Sequence, residues 1–65
     1  MTAKPGTIVE LRSARGLFRI MKVQRGDALR VARVDRVRPP QRVLSGPLKT
    51  RWEDVTQVIE EEDAR

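Results

Sequence analysis

Histidine and cysteine, the side chains most often recruited for acid–base, nucleophilic and metal chemistry, are both missing from this 65-residue chain. Disulfides and the ordinary zinc patterns are therefore excluded. Ser13, Ser45, Thr50, the lysines and the carboxylates remain as candidates for catalysis. Ser13 and Ser45 stand in turn-like stretches, where serine serves the backbone. The run Glu60-Glu61-Glu62-Asp63 lacks the spacing and the glycine of a calcium loop and reads as a solvated tail. Neither common type of glycine-rich phosphate loop occurs. The expectation is a protein that is not an enzyme and that uses no cofactor and no metal.

Charge is the stronger signal. The net charge is +5, but residues 1–51 hold a net +10 and residues 52–65 a net −5. A basic body with an acidic end points to an anionic partner, to self-shielding, or to electrostatic assembly. Arginine outnumbers lysine eleven to three. Its planar fork suits phosphate and carboxylate, although a GC-rich genome produces the same bias. Arg19, Lys22, Arg30 and Arg33 fall on strand-like stretches, and Arg36, Arg38 and Arg42 crowd the region that follows. The set Arg30, Arg33, Arg36, Arg38 and Arg42 is the candidate nucleic-acid-binding site, because it runs from strand into irregular chain that can follow a curved backbone. Base stacking needs exposed aromatics. The only aromatics are Phe18 and Trp52, and so small a core needs both. Contact with DNA or RNA is therefore expected mainly at phosphates, with little sequence specificity. The competing reading is a protein-interaction or assembly module whose basic face meets an acidic protein surface, including the acidic end of another copy, so a homo-oligomer is open. Arg25-Gly26-Asp27 reads as a hairpin turn, and Pro39-Pro40 as a stiffened loop.

These side chains need a scaffold, and one small domain is all that the length allows. At this size burial and ordering entropy nearly cancel, so packing must be economical or helped by assembly. No apolar run is long enough to cross a bilayer, and the first residues lack the apolar stretch of a signal peptide. A cytoplasmic protein without membrane contact is expected. Residues 1–6 read as a loose arm, 7–59 as the folded domain and 60–65 as an acidic tail.

Thr7–Arg12 alternates like a half-buried strand, with Val9 and Leu11 inward. Ser13–Gly16 is a turn. Leu17–Val23 and Ala28–Val34 carry apolar residues on both faces, as a bent strand serving two halves of a small barrel would. They are joined by the short turn Gln24–Asp27, which predicts a hairpin. From Asp35 to Lys49 the pattern decays. Pro39-Pro40 and Gly46-Pro47 predict a long basic loop with at most a short strand at Arg42-Val43-Leu44. Residues 50–59 admit a capped helix, with Thr50 and Glu53 as a capping box. They also admit a strand ending near Trp52, a 3-10 turn at Glu53–Val55 and a closing strand at Thr56–Ile59. The second is favoured, because Val55, Thr56, Val58 and Ile59 are β-branched and the acidic block would oppose the helix dipole. The expected core is Val9, Leu11, Phe18, Ile20, Val31, Trp52, Val55 and Val58.

This order of strands and turns resembles the SH3-like small barrels, a group that includes KOW, Tudor and Sm-like modules. Gly6 to Leu11, Gly16 after the first turn, and Trp52 with Val55 and Val58 around the closing turn carry the resemblance. It implies an all-β barrel of about five strands with a 3-10 turn before the last. Such barrels bind RNA, DNA, peptides or one another, so the fold leaves the partner open.

Overall fold

The computed structural model describes residues 4–60. Five antiparallel strands form one sheet: β1 (Ile8–Leu11), β2 (Leu17–Val23), β3 (Ala28–Val34), β4 (Val43–Arg51) and β5 (Val55–Glu60), with a 3-10 turn at Trp52–Asp54 between the last two. The strand order is β4-β3-β2-β1-β5. The sheet is not closed by hydrogen bonds, and β4 and β5 are its two edges. No helix among the described residues is long and apolar enough to cross a membrane.

Alternation explains the strands only in part. Val9, Leu11, Phe18, Ile20, Leu29 and Val31 form the buried cluster, with Ala14, Trp52 and Val55 packed half-buried against it. Ile8, Ala32 and Val34 are also buried, outside that cluster. Both faces of β1 and of the second half of β3 (Val31–Val34) are thus covered, as residues serving two halves of a curved sheet must be. Val58 departs from the expected core: it is 40% exposed, because β5 is an edge strand with no neighbour beyond it.

Where β2 bends, the pairing slips. Ile20 faces Val31, but Lys22 faces Arg30, with a register shift between. Ile20 and Lys22 are two apart and would share a face in a regular strand. The extra residue, Met21, rotates Lys22 outward while Ile20 stays in the core. The β2–β3 turn closes with a 2.9 Å bond from the Gln24 amide to the Ala28 carbonyl, and Gly26 supplies its positive φ of 72°.

The predicted long loop is the main correction. Val43–Arg51 is a nine-residue strand, and it runs straight through Gly46-Pro47. Proline is barred from central strands, not from edges or bulges, and β4 is an edge with register shifts opposite Val31–Val34. Gly46 has φ of 110°, and a Cβ placed there would lie 3.0 Å from Ala32 Cα, so only glycine fits. The real loop is shorter, and side chains brace it. The Asp35 carboxylate accepts the Arg42 amide at 2.8 Å, and the Gln41 side-chain amide donates to the carbonyls of Arg36 and Val37.

The closing turn sits one residue earlier than expected and is pinned from three directions. The Trp52 amide donates to the Asp27 carbonyl, and the Arg12 amide to the Asp54 carbonyl, both at 2.8 Å. The Asp54 carboxylate accepts the Ser13 amide at 3.0 Å, the Ser13 hydroxyl and the Thr50 hydroxyl at 2.9 Å. Thr50 thus belongs to a clasp rather than to a capping box. Glu60, expected to open the tail, instead ends β5 opposite Ile8; the rest of that expectation, residues 61–65, lies outside the described residues.

Candidate nucleic-acid interface

Where the strands place the cations is decided by register. Arg30 is exposed between buried Leu29 and Val31, so it stands on the outer face of β3. Its partner on β2 is Lys22, and its partner on β4 is Lys49. Directly opposed residues project from the same face. Lys22, Arg30 and Lys49 therefore form a row across three neighbouring strands, each step roughly 5 Å. All three are exposed, and none has a carboxylate within ion-pair distance among the described residues. Like charges directly opposite one another destabilise a sheet. The row is thus a local electrostatic cost.

The five arginines singled out from sequence are divided by the fold. Arg33 lies three residues from Arg30 and so on the other face. It is half-buried, with its guanidinium carbon 5.3 Å from the centre of the Phe18 ring and close to Gly16. Arg36 and Arg38 are exposed in the braced loop. Arg36 approaches Asp35 at 4.0 Å, and Arg38 approaches Glu60 at 3.8 Å. Arg42 is exposed and joined to Asp35 through both backbone groups, its carbonyl accepting the Asp35 amide at 3.1 Å. That bonding to the Arg42 amide is the main reason the Asp35 carboxyl sits below its ordinary range, with the Arg36 and Arg42 charges adding to it. The loop cations thus have carboxylates nearby, and the row does not.

Lys22 and Lys49 were not among those five. Lys22 was legible as a neighbour of Arg30 across the hairpin. Lys49 was hidden because its strand was read as loop, and only the β3–β4 register brings it to Arg30.

A polar concavity beside the 3-10 turn is lined by Arg12, Ser13, Thr50, Arg51, Glu53 and Asp54. Its central carboxylate is already committed. Hydrogen bonds from Ser13 and Thr50, with the nearby Arg12 charge, hold Asp54 below the ordinary carboxylate range. Among the described residues no three metal-binding side chains converge.

The chain matches no protein-family model, no curated protein and no solved structure. The functional argument therefore rests on the cations and their placement.

Proposed function

We propose that this domain binds nucleic acid through its phosphates, with the row Lys22–Arg30–Lys49 as the principal contact and the loop arginines Arg36, Arg38 and Arg42 as a secondary one. The observation that carries this reading is the row itself: three opposed cations on adjacent strands without a described acidic partner. Long, mobile side chains on a curved outer face can follow a phosphate backbone. Phe18 is buried and Trp52 packs against the core, which leaves no aromatic platform for unstacked bases. Among the described residues no helix stands ready to enter a major groove. Duplex or structured nucleic acid, read with little sequence preference, fits these features best. Arg33 acts here as a packing residue.

Fluorescence anisotropy with a labelled DNA duplex tests the proposal. If the row neutralises about three phosphates, affinity should fall roughly 40-fold between about 50 and 200 mM salt. Replacing Lys22 and Lys49 together by glutamine should weaken binding similarly for unrelated sequences and make the salt slope shallower by about two. No binding to duplex DNA or structured RNA at the lower salt concentration would refute the proposal.

A further inference from the structure

The two open edges of the sheet differ in charge. Residues 36–52, which include the whole of β4, contain five cations and no acidic residue. On the opposite edge, residues 53–60, which include the whole of β5, contain three carboxylates and no cation, and the sequence continues with Glu61, Glu62 and Asp63. The apolar exposure of the edges also corresponds: Val43 and Leu44 on β4 are 52% and 55% exposed, and Val58 on β5 is 40% exposed. Edge strands present unpaired amide and carbonyl groups, a template for another strand. Pro47, Lys49 and the register shifts interrupt that template in the middle of β4, but its first residues, Val43–Ser45, carry no such protection.

We infer that the partner for the β4 edge is the β5 edge of a second copy of this chain, joined antiparallel. In that direction Val58 and Ile59 of one copy come beside Val43 and Leu44 of the next. Glu60, which in its own chain approaches Arg38, then comes beside Arg42 of the next copy, while Glu53 and Asp54 lie toward Lys49 and Arg51. The parallel direction can also set Val58 and Ile59 beside Val43 and Leu44, but it places Glu60 beside Ser45 rather than beside a cation. Such a contact is heterologous, each copy using one edge of each kind, so it propagates from copy to copy until a rotation closes it. Assembly would also support a core that is small for an independent domain. The inference does not depend on nucleic-acid binding, since it rests on the two edges of the sheet, although it shares Lys49 and the loop arginines with the proposed phosphate contacts.

The test uses two variants with substitutions at exposed positions, Leu44→Lys on β4 and Val58→Lys on β5, each checked for native circular dichroism. Sedimentation and light scattering on the full chain at low salt should show a mass that rises with protein concentration and falls with salt. Each variant alone should be monomeric, because every contact needs one intact edge of each kind. Mixed, they should form a one-to-one dimer and nothing larger, the intact β5 edge of the first joining the intact β4 edge of the second. A monomeric wild-type chain at high concentration and low salt would overturn the inference. So would a Val58→Lys variant that still self-associates, which would show β4 pairing with β4, or a mixture that stays monomeric.

Discussion

Reversing the central charge of the outer-face row should separate stability from binding. Arg30 has a cation directly opposite it on each side, Lys22 and Lys49. Arg30→Glu turns two like-charge pairs into two opposite-charge pairs. With cross-strand pairs worth about 0.2–1 kcal/mol each, the gross gain is about 0.4–2 kcal/mol. Glutamate is less suited to strands than arginine, on a scale that spans about 1 kcal/mol, and exposed pairs fall at the low end of their range. The net change then lies between about zero and about 1 kcal/mol of stabilisation, which for a domain of this size raises Tm by at most roughly 8 °C. The gain should shrink at about 1 M salt, where the Debye length is about 3 Å. Polyanion binding should move the opposite way: one phosphate contact is lost, so the salt slope becomes shallower by about 0.9, and the new carboxylate repels the backbone. Thermal melts by circular dichroism at low and high salt, with anisotropy on the same samples, read both effects. A variant that is less stable at low salt would refute the opposed geometry of the row. A variant with unchanged duplex affinity would refute its role in binding.

Gly46→Ala should cost roughly 2–5 kcal/mol, from positive-φ strain and contact with the Ala32 backbone, whereas Gly26→Ala, which meets open space, should cost about 1–2 kcal/mol; urea melts that show equal losses would disprove the close approach at Gly46. Phe18→Ala should cost about 3–5 kcal/mol and leave little folded protein, seen as loss of the cooperative thermal transition. Asp54 has its pKa lowered in the folded state, so its contribution is present above the unfolded carboxylate range and is lost as pH falls through that range toward the folded value. Asp54→Asn should therefore lower Tm at neutral pH and lower it less at about pH 3; an equal loss at both would deny the carboxylate its role. Deleting residues 61–65 should tighten duplex binding if the acidic end shields the loop arginines, and unchanged affinity by anisotropy would rule shielding out.

The hairpin was the most legible part of the sequence. The mixed faces of Leu17–Val23 and Ala28–Val34, with Gly26 between them, fixed both strands to the residue. The β-branched residues of 55–59 correctly outweighed the capping-box pattern. What local pattern could not reveal was position within the sheet. Gly46-Pro47 looked like a break because proline is hostile to a central strand, and sequence alone does not say that this strand lies at an edge. The same ignorance placed Val58 in the core. Leu29 was passed over because β3 is apolar on both faces and alternation gave no way to choose its inner side. The site followed the same logic. Arginine abundance drew attention to the Arg36–Arg42 stretch, while the row depends on two registers and a one-residue bulge at Met21, neither written in composition.

The pinned 3-10 turn also bears on how the chain acquires its fold. Its bonds join Trp52 to Asp27, Arg12 to Asp54, and Ser13 to Asp54, and β1 takes its second neighbour from β5. During synthesis the first strand therefore leaves the ribosome with one flank unpaired, and nothing made before residue 52 can complete it. The β2–β3 hairpin can form early from local contacts. The first and last strands must then meet across nearly the whole chain, a loop closure that comes before any reward from packing. Such a domain should fold in one late cooperative step on the millisecond-to-second scale, and a nascent chain stalled before residue 55 should remain open to proteolysis.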